Sequence, residues 1–408
     1  MKQEALLSNR LPPEFVAWLQ RWFNLHLVIW LLSLACFIAA WNRGLALLYG
    51  LSALALSLLL ISHLMPRLQL RGIGVERSPL GDLTAGSEGE LAYRITTQGR
   101  RYHLQLRDPL PFAEAEQMLF VSRCDRAVEA RTNFRCELRG RYRLRQITIA
   151  SAYPFGVVNY SRQLSTEPLE VLVLPRVYDL RQIPLPVTAD ANSDGDLPIP
   201  QQGGQDQFAA VREYVQGDSL RHIHWRASAR RQQLVVKEYE RSDRPVLLVA
   251  LDCRAAFNHG EGGRTSFEYA ISIAASMIHF ASREGMQAIL VTENGAWHEQ
   301  VIPAYTADLY DLYAYLATLE SNGSQSSAEL IEQAVIRFPQ ANLITGFRLL
   351  DDGVLPTLPP YLTHVDIEMD AESFLFPMRS DRASGSHRQG NRLIYQVNAL
   401  TSLRELFQ

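Results

Sequence analysis

Between Phe208 and Glu240 the chain reads FAAVREYVQGDSLRHIHWRASARRQQLVVKEYE. Arg212, Glu213, Tyr214, Gly217, Asp218, Arg221, Trp225, Arg226 and Arg230 crowd into one short stretch of it. Guanidinium forks this close to two carboxylates can form bidentate ion pairs. The same set could also do chemistry, with Glu213 and Asp218 moving protons and the arginines holding an anion. Gly217-Asp218 reads as a turn, with Asp218 placed to cap a short following helix. Trp225 would anchor that helix, its ring buried and its indole N–H paired. A structural lock between the neighbouring folded parts competes with a catalytic or binding role.

Other reactive residues carry less. His222 and His224 stand two apart, which on a short helix points them in different directions, so a ligand pair is not expected. The four cysteines, Cys36, Cys124, Cys136 and Cys253, have no paired spacing, which argues against a disulfide framework or a zinc knuckle. Cys253 follows an apolar run, but no matching His and Asn marks it as a nucleophile. Gly260-Glu261-Gly262-Gly263 lacks the lysine of a phosphate loop. The arginines of the 208–240 segment are interleaved with acids and have no aromatic stacking platform, so nucleic acid is not an expected partner.

The elements that must position these residues begin with an anchor. Residues 25–41, LHLVIWLLSLACFIAAW, taken with Trp22 and Phe23 before them, and residues 45–65, LALLYGLSALALSLLLISHLM, are each long enough for a spanning helix and are joined by Asn42-Arg43-Gly44. A single cleaved leader fits two such spans poorly. Pro66 is expected to end the second. Trp18, Trp22, Trp30 and Trp41 cluster near the span ends, as an interfacial aromatic belt does. Lys2, Arg10 and Arg21 precede the spans, and Arg67, Arg71 and Arg77 follow them. Both termini are therefore expected on the cytoplasmic side, with the soluble part in a reducing compartment.

Past the anchor the charge is graded. Residues 66–181 hold 18 Arg against 13 Asp and Glu, whereas residues 246–408 hold 10 Arg against 19 acids. A basic region beside the spans suits an anionic inner leaflet, although ordinary solvated surface gives the same pattern. Residues 91–96, 103–107 and 142–149 alternate apolar and polar side chains between turn sequences, which predicts a small β-sandwich. Residues 186–207 are rich in Pro, Gly, Asp and Gln and read as a linker. From Pro245 the pattern changes to buried strands alternating with helices: strands near 245–251, 287–292, 342–345 and 363–367, and helices near 266–283, 306–320, 326–337 and 401–407. Such alternation predicts a mostly parallel sheet covered on both faces.

The run from Arg212 to Arg230 resembles the core of domain-of-unknown-function family 58, R-E-Y-x-x-G-D-x-x-R-x-I-x-W-x-A-S-A-R. Arg139-Gly140-Arg141-Tyr142, Tyr153-Pro154-Phe155-Gly156 and Val171-Leu172-Val173-Leu174-Pro175 resemble that family's upstream landmarks, in order. The resemblance implies a two-helix transmembrane hairpin in the bacterial inner membrane, an immunoglobulin-like sandwich, and an α/β domain like the von Willebrand A domain. Expected boundaries are a cytosolic segment 1–21, hairpin 22–66, sandwich 67–181, linker 182–207, signature segment 208–244 and α/β domain 245–408. It also implies partners: a MoxR-type AAA+ ATPase and a transglutaminase-like membrane protein. It implies no established reaction.

A von Willebrand A-type metal site uses D-x-S-x-S after the first strand, where a carboxylate and two hydroxyls supply oxygen ligands. Here the stretch is Asp252-Cys253-Arg254-Ala255-Ala256. Asp252 keeps the first position in a degenerate form, both hydroxyls are gone, and Arg254 brings a positive charge. By spacing, Asp352 and Thr265 do not replace the set, so no metal or cofactor is expected. Three functions stay open: a non-enzymatic membrane-anchored adaptor, an enzyme using the Arg212–Arg230 set, and a metal-dependent ligand binder.

Overall fold

A computed structural model of the chain describes residues 25–183, 207–213, 228, 234–240, 245–350, 352, 356, 358–359, 362–376, 385–389 and 392–403. The chain divides into two compact units, Met1–Pro175 and Arg176–Gln408.

The first unit opens with two apolar helices, α1 (Leu25–Arg43) and α2 (Ala46–Gln69). Gly44, at a φ of +66°, makes the turn between them. Ser33 and Ser52 exchange hydrogen bonds across the pair, each hydroxyl donating to the other residue's carbonyl at 3.1 Å. Small residues at that crossing let the backbones come close. At 24 residues α2 is about 36 Å long, against roughly 30 Å of hydrocarbon in a bilayer. Only 17% of its apolar stretch is buried, whereas the core helix of a soluble fold is mostly buried. α2 is long and apolar enough to cross a membrane; the described apolar stretch of α1, Leu27–Arg43, is shorter. Pro66 does not end α2. It sits in the last turn, where its carbonyl still accepts from the Leu70 N–H at 3.2 Å, and the helix runs on to Gln69.

Eight strands follow. β1 (Ile73–Arg77), β3 (Glu88–Thr97) and β6 (Ala127–Arg135) form an antiparallel sheet in the order β1-β3-β6. β2 (Leu83–Thr84), β4 (Arg101–Asp108), β5 (Gln117–Cys124), β7 (Gly140–Ser151) and β8 (Tyr160–Leu174) form the other, in the order β2-β8-β7-β4-β5. The predicted alternation is present. Leu91, Tyr93 and Ile95 of β3 share one core with Leu104 and Leu106 of β4 and Ile147 and Ile149 of β7.

A buried ion pair fastens the two sheets. Arg77 of β1 donates to Asp108 of β4 through Nε and Nη2, both at 2.8 Å, and to Thr166 Oγ1 of β8 at 2.7 Å. The Tyr93 hydroxyl donates to the same carboxylate at 2.9 Å. Burial, reinforced by the Asp108 charge, raises the Tyr93 phenol well above its ordinary range. This clip was not visible in the sequence, because its members come from four separate strands.

The second unit begins with residues 176–183, of which Leu180 and Ile183 join its main core. β9 (Gln207–Glu213) and β10 (Val235–Glu240) pair antiparallel, with Val236 opposite Arg212 and Val235 opposite Glu213. β11 (Val246–Leu251) is followed by a small hairpin, β12 (Gly260–Glu261) and β13 (Arg264–Thr265), and then α3 (Ser266–Arg283), which the Thr265 side chain caps. Then come β14 (Gln287–Glu293), β15 (Trp297–Ile302), α4 (Tyr310–Thr318), α5 (Ser327–Arg337), β16 (Leu343–Leu349), β17 (Thr363–Met369), α6 (Ala371–Leu375), β18 (Gly385–Gln389) and β19 (Arg392–Val397).

The seven-stranded sheet has the order β15-β14-β11-β16-β17-β19-β18, parallel except for the edge strands β15 and β18. α3 packs on one face through Ile271, Ala274 and Ile278, and α5 covers Ile344 and Leu248 on the other. The mostly parallel sheet and the helices near 266–283 and 326–337 match the sequence reading. The edge hairpins were missed, because β15 and β18 lack the apolar runs of the buried strands. Residues 401–403, where a last helix was expected to begin, are not helical.

Candidate functional site

β11 is where the strand order turns back. The chain leaves it for β14 on one side and later returns to β16 on the other. In open α/β sheets such a switch point leaves a crevice at the carboxyl ends of the strands, and ligands bind there. Asp252 directly follows β11, and Asp352 stands three residues beyond the end of β16.

Local backbone geometry fixes Asp252. Its carboxylate accepts from the Arg254 backbone N–H at 2.9 Å and from a backbone N–H of Ser327, the first residue of α5. The amino end of a helix favours an anion at that place. The Arg254 side chain then folds back onto the carboxylate. Nε lies 3.1 Å from both oxygens and Nη2 lies 2.7 Å from Oδ2. Nη2 also donates to Asp352 Oδ2 at 2.7 Å. Thus Asp352, which spacing set apart from Asp252, meets it through Arg254.

Burial raises the Asp252 carboxyl above its ordinary range, and the hydrogen bonds from Arg254 and Ser327 oppose that rise. Hydrogen bonding to Asp252 is the main reason Arg254 holds its proton still more firmly than a free guanidinium. Both oxygens of Asp252 are occupied by a built-in cation, so the residues present do not fit a hard metal ion at this place. Among the described residues, no group of three or more His, Cys, Asp or Glu side chains could hold a metal.

The network continues along the sheet. Arg348 of β16 donates to the Asp352 carbonyl at 2.9 Å and to the Glu368 carboxylate. Its register neighbours on β17 put Asp366 and His364 on the same face. His364 Nε2 lies 3.3 Å from Asp366 Oδ1. Burial pushes the Asp366 carboxyl up to about 6, and burial with the charges of Arg392 and Arg348 pushes His364 down to about 3. Gly346 leaves room here, since a Cβ on it would come within 2.8 Å of Ile331.

On the opposite side of the crevice, Glu293 at the end of β14 holds the loop before α5. It accepts from the backbone N–H of Ser324 at 2.6 Å and of Gln325 at 3.0 Å, and from the Ser324 hydroxyl at 3.1 Å. Those bonds, the Ser324 amide first, hold its carboxyl below the usual range. Gly323 fits between strands: its N–H donates to the Cys253 carbonyl at 2.7 Å, and a Cβ on it would lie 2.3 Å from the Glu293 carbonyl oxygen. Ser326 closes the amino end of α5 with Glu329 as a reciprocal capping box.

Of the residues singled out in the sequence, Arg212 and Glu213 lie on β9 opposite Val236 and Val235. Tyr214, Gly217, Asp218, Arg221, Trp225, Arg226 and Arg230 lie outside the described residues, as do His222 and His224. Cys253 is buried, and its thiol donates to the Leu251 carbonyl at 3.6 Å. Ser327, the other hydroxyl near Asp252, donates to the Phe347 carbonyl at 2.6 Å.

A family-model match covers part of the same region. Residues 210–341 match the family model described as "Protein of unknown function DUF58". The matched stretch runs from β9 to just before β16, so it holds Asp252, Arg254, Glu293 and Gly323, while Asp352, Arg348 and Asp366 lie beyond it. "Uncharacterized protein YeaD" of Bacillus subtilis (strain 168) is 33% identical over 84 residues, 21% of this chain. The match spans about a fifth of that relative's length, at 19%. Neither description names a reaction or a ligand.

Proposed function

We propose that the chain is a non-enzymatic, membrane-anchored adaptor. In this reading α1 and α2 form a two-helix transmembrane hairpin in the bacterial inner membrane. Both termini and both soluble units are cytosolic. The eight-stranded unit is read as immunoglobulin-like and the second unit as von Willebrand A-like, with its crevice as the docking site for a protein partner.

The observation that carries the reading is the seat of Arg254. At the place where open α/β sheets bind ligands, the chain presents a cation fixed by Asp252 and Asp352. Arg254 is 25% exposed, and its Nη1 makes no hydrogen bond among the described residues. An acidic side chain of a partner would complete that fork. The family resemblance makes a MoxR-type AAA+ ATPase the partner of choice, with a transglutaminase-like membrane protein as a second member. The outcome would be assembly or remodelling of envelope complexes.

The test is capture from detergent extracts with and without ATP, using the intact chain and an Arg254→Glu variant checked for fold by circular dichroism. Recovery of an AAA+ ATPase by the intact chain and its loss with the folded variant support the reading. Repeated capture experiments without such an ATPase refute it. The metal-dependent alternative loses support because Arg254 occupies the Asp252 carboxylate. The enzyme alternative rests on Arg212–Arg230 alone, and no described geometry favours it.

A further inference from the structure

The loop between β7 and β8, residues 152–159, reads AYPFGVVN and contains no charged residue. It starts beside the last turn of α2. Ser151 and Tyr160, which flank it, are paired across the two strands. Arg67, in that last turn, places its guanidinium 5.5 Å from the centre of the Tyr160 ring. Gln69, the final residue of α2, accepts from the Tyr102 N–H at 3.2 Å. The Tyr102 ring in turn stacks on Tyr153 of the loop, centroids 5.4 Å apart.

Phe155 is 51% exposed, although removing a phenyl ring from water is favourable. Val157 and Val158 are half-buried beside it. Arg67, Arg71 and Arg162 are exposed around the same end of the sandwich. An acid-free apolar loop, ringed by cations, thus lies where a spanning helix would leave the hydrocarbon. Interfacial segments have this composition, with apolar side chains at the acyl boundary and cations among anionic headgroups.

We propose that the β7–β8 loop is a lipid-binding device. Phe155 and its neighbouring valines bed into the headgroup boundary of the bilayer that α2 crosses, with Arg67, Arg71 and Arg162 on anionic headgroups. The proposal rests on the reading that α2 spans a bilayer. It gives the sandwich a second hold on the membrane and so restricts its tilt about the end of α2.

Nitroxide labelling of the full chain in nanodiscs of phosphatidylcholine and phosphatidylglycerol tests it, with Cys36→Ser as background. Labels go on Phe155→Cys, on Val157→Cys in a separate protein, on Leu56→Cys within α2, and on Ser122→Cys as a water-exposed reference. Collision rates with oxygen and with a water-soluble nickel chelate report depth. The expected result is a 155 or 157 label between the 56 and 122 labels in depth, and shallower in pure phosphatidylcholine. Labels at 155 and 157 as water-exposed as 122, with 56 deep, would overturn the lipid-binding loop and leave the spanning helix intact. A 56 label as water-exposed as 122 would remove the spanning helix and the loop proposal with it. Unchanged depth in pure phosphatidylcholine would overturn the part assigned to the arginines.

Discussion

Arg254 lies on the carboxylate of Asp252, two residues before it in the chain, with Nη2 2.7 Å from Oδ2. The contact converts a place that could receive a metal ion into an internal ion pair.

That relationship predicts how a metal site can be restored. The variant Arg254→Ser, Ala256→Ser writes D-x-S-x-S back after β11 and frees both oxygens of Asp252. Millimolar Mg²⁺ is expected to raise the melting temperature of the double variant and to leave that of the natural sequence unchanged. A Mg²⁺-dependent rise in the natural sequence would mean that Arg254 can be displaced from its seat.

The buried pair on β17 predicts an altered pH dependence. His364, pushed down to about 3, stays neutral in the fold while the unfolded chain takes up its proton near 6.5. Its contribution is complete above 6.5 and is lost as pH falls toward 3. Asp366 acts in the opposite sense. With its carboxyl raised to about 6, the fold keeps a proton that the unfolded chain releases near 3.8, so stability falls as pH rises from about 4 to about 6. Asp366→Asn removes this second effect. Urea midpoints measured between pH 4 and 6.5 are expected to climb more steeply with pH in the variant than in the natural sequence.

The clip between the two β-sheets predicts a large loss. Asp108 is fully buried and Arg77 nearly so. Removing one partner strands the other charge, which costs roughly 3–5 kcal/mol in such settings. Asp108→Ala should lower the chemical stability of the first unit by that order. Replacing both residues, Arg77→Met with Asp108→Leu, should restore much of it. A single variant as stable as the natural sequence would show that the pair is not buried in solution.

What the sequence made legible follows from where the information resides. α3 could be placed at 266–283 because Ile271, Ala274, Ala275 and Ile278 repeat at helical spacing and Glu268 falls in its first turn. β11 and β14 could be placed because buried parallel strands are continuous apolar runs. Asp252 and Arg254 were visible as neighbours, and Arg254 was read as a positive charge at the place where a cation would sit. The part played by Asp352 was not legible. It lies 98 residues from Arg254, and only the return of the chain to β16 brings it within reach. The cluster of His364, Asp366 and Arg348 was missed for a related reason. Period-two alternation along Thr363–Met369 marks a strand, but nothing in it tells that the polar face is buried. Asp370, Glu372 and other nearby acids make Asp366 look like ordinary surface.

Gly323 tests whether the crevice must keep its shape. The residue touches both walls: its N–H reaches the Cys253 carbonyl, and its Cα lies so near the Glu293 carbonyl that a methyl group would sit 2.3 Å from that oxygen. Backbone cannot yield as a flexible side-chain tip can, so Gly323→Ala must push the loop before α5 away from β11. Overpacking of this kind costs about 1–3 kcal/mol. Displacement of the loop would also strain the bonds from Ser324 and Gln325 to Glu293 and move the Ser327 N–H off Asp252. Ser326→Ala, which removes only the cap of α5, costs about 1 kcal/mol and leaves the wall in place. The two variants are therefore expected to differ in kind. Gly323→Ala should lose both stability and partner capture, whereas Ser326→Ala should lose stability alone, as read by thermal melts beside the detergent-extract capture. Equal capture by both would show that the partner does not sense the crevice geometry.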